Sequence, residues 1–351
     1  MRERFHILYQ TVLLLIVAAV LLTACSSDSS EAQTNPAGKD PVDHVVQIVP
    51  FATSYIEQAS GHRAAPTGYS DYVPVRDTQM GIYMLKEGDT YDEKLIKYLG
   101  KWRASFDVDK NETYTVYGYL PKTSDMSSSL TKNPANEDEA TLTITGMKPI
   151  TTDDICIITG VKETETGLKE GQFSWNTPIE DETYFMYLLL NHLYASVRFS
   201  MKIDEEYALL RTIKLKSMTL STNKGSVVSA EISLTHNTTG AIPITNVTYT
   251  ETGTSSEADI FSDDEGIALE TTPMTIDACF APTLSGSLTL FSIYDVYDSK
   301  GNLIRQDCTS TNKIPALGAN RGERVQVNLT VNPTYLYVLS HKDLNNLFVI
   351  E

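Results

Sequence analysis

An alternation of apolar and polar residues with a period of two runs through most of the chain and constrains its fold more than any other feature. Turn-forming residues interrupt it about every eight to twelve positions, as in antiparallel sheets with one buried face. Helical periodicity is scarce. The clearest runs are residues 45–51, 113–120, 141–146, 155–159, 195–203, 213–221, 227–235, 288–294 and 325–331. The pattern predicts an all-β protein built from short strands.

Glycines between the runs predict tight turns. Gly225 accepts the positive φ that closes a short loop, so residues 223–225 predict a hairpin joining the runs on either side. Residues 299–302 predict a second hairpin in the same way. Two further segments predict loops from their composition, the Ser/Asn/Pro-rich residues 121–136 and the acidic residues 254–265. Residues 91–103 fit either a short helix or a strand.

Length and charge limit the organisation and the partners. The chain has 351 residues, more than the roughly 250–300 at which one core stops growing, so we expect two domains. We predict two tandem β-sandwich domains, residues 44–189 and 190–351. The net charge of −17 argues against nucleic acid and anionic headgroups as partners.

The N-terminus has the layout of an export signal. Arg2 and Arg4 precede an apolar run at 12–22 that is too short for the about 20 residues of a spanning helix. Leu21-Leu22-Thr23-Ala24 before Cys25 resembles the lipobox of bacterial lipoproteins. The resemblance implies a signal peptide over 1–24, acylation of Cys25, and a flexible tether over 25–43. The alternative is an incidental cysteine near a signal cleavage site. Acidic residues after Cys25 resemble the surface-export signal of Bacteroidales lipoproteins and favour the outer membrane.

Three further cysteines, Cys156, Cys279 and Cys308, have no zinc-type spacing. A disulfide between Cys279 and Cys308 and three separate buried thiols both fit an exported protein.

No catalytic motif is present, so we expect neither an enzyme nor a bound cofactor or metal. The histidines have no ligand spacing, and His192 is expected to be a hydrogen-bonded structural residue. The segment from Asp107 to Asn111 begins like a calcium loop, but Glu112 and Gly118 stand where the turn glycine and the bidentate glutamate belong. An acidic group fits either a solvated loop or a weak calcium site; it consists of Asp259, Asp263, Asp264 and Glu265. An aromatic group fits either packing within a strand or a sugar-binding platform; it consists of Tyr114, Tyr117 and Tyr119.

Several segments together, in their order, resemble the fimbrillin family, the subunits of type V pili of Bacteroidales. Besides the lipobox they are VQIVPFA at 46–52, GHRAAP at 61–66, GIYML at 81–85, YTVYGYLP at 114–121, NHLYASVRFSM at 191–201, and the ending from residue 327. The resemblance implies that both domains are transthyretin-like β-sandwiches and that the chain is a structural pilus subunit with a role in cell adhesion.

In that family, subunits polymerise by strand exchange. The resemblance implies a removable N-terminal strand at a sheet edge, formed by Val45, Val46, Ile48, Val49 and Phe51. An arginine-specific protease would cut after Arg63, in a loop, with Arg76 as the second choice. The donor strand for the next subunit would come from Tyr335, Tyr337, Leu344, Leu347 and Val349.

Three alternatives stay open at this point. The tail strands would pair within their own domain instead of reaching another subunit. An uncut chain would suit the cell-proximal anchor of the pilus. A monomeric surface lipoprotein that binds glycans is the alternative function.

Overall fold

The computed structural model describes residues 44–59, 62–63, 69–72, 76–85, 92–106, 113–162, 172–174, 184–235, 244–331 and 348–350. The predicted signal peptide, the tether and Cys25 lie outside these residues. The described chain is almost entirely β-structure, with one helical turn, α1 (Glu205–Ala208), and one 3-10 turn (Pro282–Leu284). Asp204 caps α1 by accepting hydrogen bonds from the backbone N–H groups of Glu206 and Tyr207. Among the described residues, no helix is long and apolar enough to span a membrane.

The first sheet has nine strands. They are β1 (His44–Thr53), β4 (Tyr69–Asp71), β5 (Gln79–Leu85), β6 (Lys94–Lys97), β7 (Trp102–Phe106), β8 (Thr113–Lys122), β12 (Cys156–Lys162), β13 (Gln172–Ser174) and β14 (Tyr184–His192). The order is β4-β1-β14-β12-β8-β5-β6, with β7 also beside β1 and β13 beside β8. A bridge between Tyr98 and Trp102 links β6 to β7 and so brings the two ends of this sheet together. The curled sheet encloses one hydrophobic core, which includes Val46, Ile82, Val116 and Leu188.

The second sheet has seven strands. They are β2 (Ile56–Ala59), β3 (His62–Arg63), β11 (Ile150–Thr151), β15 (Ala195–Ile203), β20 (Met274–Phe280), β23 (Glu323–Val331) and β24 (Phe348–Ile350). The order is β11-β20-β15-β23-β2-β3, with β24 also beside β23. This sheet therefore combines strands from the beginning, the middle and the end of the chain.

Two four-stranded sheets complete the fold. One has the order β18-β17-β10-β9 and consists of β9 (Ser127–Asn133), β10 (Asn136–Met147), β17 (Val227–Thr235) and β18 (Ile244–Thr252). The other has the order β19-β16-β21-β22 and consists of β16 (Arg211–Thr222), β19 (Ser256–Ala268), β21 (Leu288–Asp298) and β22 (Leu303–Lys313). Their apolar faces and that of the seven-stranded sheet form a second core, with Leu142, Phe199, Ile232 and Leu290 among its residues. The all-β prediction is confirmed, and two cores are consistent with two β-sandwich domains.

All nine predicted runs are strands, but two turn predictions had different outcomes. Residues 299–302 connect the antiparallel partners β21 and β22, as predicted. Gly225 has the expected positive φ of 70°. The predicted hairpin around it is wrong, because β16 and β17 lie in different sheets and β17 pairs with β10 instead.

Both predicted loops are largely strand. Residues 121–136 contain β9, and residues 254–265 lie mostly in β19. Each of these strands is at the edge of its sheet and buries one apolar side chain, Leu130 in β9 and Ile260 in β19. An edge strand with so little apolar burial has the composition of a loop. Residues 92–103 form β6 and the start of β7 rather than a helix.

Strand pairing crosses the predicted boundary at residue 190. β10 pairs with β17, β11 with β20, and β2 with β23. The predicted domain boundary between residues 189 and 190 therefore does not coincide with a division between sheets. The two domain ranges stay a prediction.

Candidate functional site

The predicted removable strand, β1, has partners on both sides. It pairs in parallel with β14 from Val46 to Ala52. On its other side it pairs antiparallel with β7 from His44 to Ile48 and with β4 from Phe51 to Thr53. The expected edge position is therefore wrong. The turn between β6 and β7 folds back and places β7 against β1, a long-range pairing that the alternation of a single strand cannot reveal.

The side chains of β1 alternate in burial. Val46 and Ile48 are buried, whereas Val49 and Phe51 are only partly buried. Burying a valine or isoleucine side chain stabilises a protein by about 1.5–3 kcal/mol. Removing β1 would therefore uncover an apolar row in the core as well as two sets of backbone hydrogen-bonding groups. The vacancy would be a slot between strands rather than a free edge.

The N-terminal segment also joins the second sheet. After β1 the chain crosses over at residues 53–55, and β2 then pairs in parallel with the start of β23. The Ile56 N–H donates to the Gly322 carbonyl at 2.8 Å. β3 pairs with the outer side of β2 and forms the rim of this sheet. A single cut after β3 would thus remove strands from both sheets.

Ionic contacts hold β2 in place. Arg324 Nη1 lies 3.3 Å from Glu57 Oε1, and the Arg324 guanidinium stacks on the Tyr55 ring. Next to it, Arg198 donates two hydrogen bonds of 2.8 Å to Asp277. Burial opposes ionisation of Asp277, but the hydrogen bond from Arg198 and the nearby Arg324 outweigh it and keep the carboxyl pKa below its usual value.

A polar cluster lies where the chain crosses from β1 to β2. His192 Nε2 is 2.5 Å from the Thr53 carbonyl oxygen, and Nδ1 is 2.7 Å from Asp154 Oδ2. The Tyr55 ring stacks on the His192 ring at 3.8 Å, and its hydroxyl donates to Asp154 Oδ1 at 2.7 Å. Cys156 Sγ is 3.7 Å from His192 Nδ1. We call these five residues the crossover cluster.

The prediction that His192 is a hydrogen-bonded structural residue is confirmed. Its partners could not be predicted from the sequence, because they lie around the start of β12 and where β1 leads towards β2. The strand register could have indicated one of these partners, because Cys156 lies directly opposite His192 in the pairing of β12 with β14. Burial raises the pKa of the Tyr55 hydroxyl and of the Cys156 thiol, so both stay protonated at neutral pH.

The two candidate cleavage sites differ in their setting. Arg63 lies in β3, where its backbone pairs with Gln58, so the expectation of an unpaired loop is wrong. Arg76 lies in an exposed turn between β4 and β5, next to Asp77 with its positive φ of 72°. An exposed turn is the more accessible substrate for a protease.

Little of the predicted donor strand can be placed. Tyr335, Tyr337, Leu344 and Leu347 lie outside the described residues. Val349 lies in β24, which pairs with the end of β23 in its own chain. β2 covers the start of the same side of β23, and in the described part of the chain no strand pairs with residues 325–328 on that side.

The structure places two of the other candidate sites. Tyr114, Tyr117 and Tyr119 are buried, so β8 is not a sugar-binding platform. The calcium-like segment starting at Asp107 lies mostly outside the described residues. The acidic group at 259–265 lies on the exposed edge strand β19, not in a loop.

The cysteine alternatives are also decided. Cys156, Cys279 and Cys308 are free thiols. Cys279 is buried, and that burial raises its pKa to about 12. Cys156 is buried as well, whereas Cys308 is only partly buried.

No protein-family profile matches the sequence, and a search of curated proteins returned no match. The fold is similar to solved structures of Bacteroidales proteins. A candidate cell adhesion protein from Bacteroides fragilis is 11% identical, with 87% of this chain and 96% of that one covered and a TM-score of 0.42. The fimbrial anchor protein Mfa2 from Porphyromonas gingivalis is 13% identical, with 87% and 95% covered and a TM-score of 0.28. A candidate polysaccharide-binding protein from Bacteroides thetaiotaomicron is 7% identical, with 82% and 91% covered and a TM-score of 0.32. All three identities are at most 13%, and all three TM-scores are at most 0.42.

Proposed function

We propose that this chain is the precursor of a structural pilus subunit with a non-enzymatic role in cell adhesion. It is exported as a lipoprotein acylated at Cys25 and held at the outer membrane before it joins a surface pilus. Its partners are other pilus subunits and an arginine-specific protease. Both sandwiches belong to the transthyretin-like class of that pilus family.

The arrangement of the N-terminal segment carries this proposal. β1 and β2 insert in parallel beside β14 and β23, which come much later in the chain. Two candidate protease sites, Arg63 and Arg76, follow them. Loss of the segment would leave unpaired backbone groups next to the apolar row that begins at Val46. A strand from a neighbouring subunit would pair with those groups and place alternate side chains in the vacated pockets.

The two-sided pairing of β1 sets the order of events. A strand that is hydrogen-bonded on both sides and carries buried Val46 and Ile48 does not exchange readily with a competitor. Proteolysis must therefore come first, and the uncut chain is expected to stay monomeric. Val349 then leaves β23 with the rest of the tail and becomes part of the donor.

Limited proteolysis tests the proposal. The mature chain, with Cys25→Ala to prevent acylation, is incubated with an arginine-specific protease and followed by N-terminal sequencing and size-exclusion chromatography. We expect loss of the N-terminal segment followed by a ladder of oligomers. Arg63→Gln, Arg76→Gln and the double variant identify the site that matters. A chain that is cut cleanly and stays monomeric would contradict strand exchange.

A further inference from the structure

Three side chains of the crossover cluster form a compact group of potential metal ligands. The Asp154 carboxylate, the Cys156 thiol and the His192 ring each offer one ligand atom, and these atoms lie within 4.8 Å of one another. The pairing of β12 with β14 sets Cys156 opposite His192, and Asp154 directly precedes β12. Two of the three ligands are therefore held by a sheet rather than by a loop.

The contact between His192 Nδ1 and Asp154 Oδ2 requires a proton or a metal ion between the two atoms. The Thr53 carbonyl oxygen only accepts, so Nε2 must carry the hydrogen that it donates. In the neutral ring, Nδ1 would then direct a lone pair at Asp154 Oδ2, another acceptor, at 2.7 Å. Only a second proton or a metal ion between these atoms makes the contact favourable.

The residues around the group also match the surroundings of a metal site. A histidine that binds a metal through one nitrogen usually donates its other N–H to a carbonyl or carboxylate, as His192 does to Thr53. The Tyr55 hydroxyl donates to the second oxygen of Asp154 and orients that carboxylate. Thr53 is the last residue of β1, and Tyr55 lies between β1 and β2.

We propose that Asp154, Cys156 and His192 bind a zinc ion, with water as the fourth ligand. A nitrogen, a thiolate and a carboxylate form a zinc-type set, whereas calcium and magnesium require oxygen ligands. Bonds of about 2.0–2.3 Å in a tetrahedral site place ligand atoms roughly 3.3–3.7 Å apart. The 3.7 Å between Nδ1 and Sγ fits this range. Asp154 Oδ2 must move away from Nδ1 by about half an ångström to reach the same range.

Zinc binding releases protons. The S–H bond of Cys156 breaks, a Zn–S bond forms, and the proton passes to solvent; a proton on Nδ1 is displaced in the same way. The affinity for zinc is therefore expected to fall as the pH is lowered.

Metal titration of the full mature chain tests the site. The protein carries Cys25→Ala, is freed of metal, and is titrated with Co²⁺ and then Zn²⁺. We expect one equivalent of Co²⁺ with a thiolate-to-metal charge-transfer band, and displacement of Co²⁺ by Zn²⁺. The Cys156→Ser variant is expected to lose the band and to bind Zn²⁺ at least tenfold more weakly.

Matched controls separate a metal site from nonspecific binding. Cys279→Ser removes a buried thiol 3.4 Å from the Tyr55 hydroxyl that lies outside the ligand group, and the band should survive. Tyr55→Phe keeps the stacked ring, loses the hydroxyl, and should weaken binding by about tenfold or more. Circular dichroism confirms the fold of each sample, and Asp154→Asn replaces Cys156→Ser if that variant does not fold. Absence of stoichiometric Co²⁺ binding by folded wild-type protein, or an unchanged band in the folded ligand variant, would overturn the site.

The ion would also hold the N-terminal segment, because Thr53 and Tyr55 contact two of its ligands. We therefore expect chelation to accelerate proteolysis at Arg63 or Arg76. This consequence rests on the proposed function, whereas the metal titration involves no cleavage. The zinc site and the proposed pilus function can thus fail independently of each other.

Discussion

At the scale of single residues, charges and hydrogen bonds hold the N-terminal segment in addition to apolar contacts. Arg324 links β2 to β23 through Glu57, and the crossover cluster ties Thr53 to His192. The Arg198–Asp277 pair supports this surface from β15 and β20. Several of these contacts must break together when the segment leaves after a cut at Arg63. Their pH dependence therefore affects the release of the segment.

Asp277→Asn is expected to lower the thermal midpoint at pH 7, because it removes the ionised partner of Arg198. The carboxyl pKa is lowered in the folded state, so its contribution is present above the unfolded value of about 3.9 and is lost as the pH falls through the folded value. We expect the substitution to lower the free energy of unfolding by less than about 1 kcal/mol, since Asp277 is 40% exposed and water screens the pair. Thermal unfolding at pH 7 and pH 2 measures the effect, with the exposed Glu265→Gln as control. A difference that grows in acid would contradict this assignment.

At the scale of elements, β1 determines how the chain can exchange strands. Its inner face contributes to the core, and its backbone pairs on both sides with β14, β7 and β4. Such a strand stays paired within its sheet until the chain is cut. Its opposite face is only partly buried, so the two faces should respond differently to substitution.

Ile48→Ala is expected to destabilise the uncut chain by about 2–5 kcal/mol, because it leaves a cavity in the first core. Val49→Ala, one residue along on the other face, is the matched control and should cost less than about 1 kcal/mol. Urea unfolding of both variants measures the difference. Equal effects would mean that β1 is not seated as described.

At the scale of the whole molecule, the sheets join distant parts of the chain. The sheet that contains β17 is completed by β10 and β9, from the other side of residue 190. Tyr83, Tyr117 and Tyr119 from the first sheet pack into the second core. Two of the four sheets therefore combine strands from both sides of residue 190.

A fragment of residues 190–351 is expected not to fold alone, because β17 would lose its partner β10 and expose Ile232 and Leu234. Co-expression with residues 25–189 should restore a folded complex. Circular dichroism and co-purification provide the measurement. A stable, monomeric 190–351 fragment would instead support the predicted domain limits.

The sequence by itself determined the strands, since alternation with period two is a local property that each segment carries in its own side chains. It also indicated the positive φ at Gly225 and the structural role of His192. Only the tertiary structure decided which strands are neighbours: β7 beside β1, β10 beside β17, and β2 beside β23. Three predictions were wrong for this reason: the edge position of β1, the loop at Arg63 and the hairpin at residues 223–225. Pairing depends on contacts between residues far apart in the chain, and the same long-range register brought Asp154, Cys156 and His192 together.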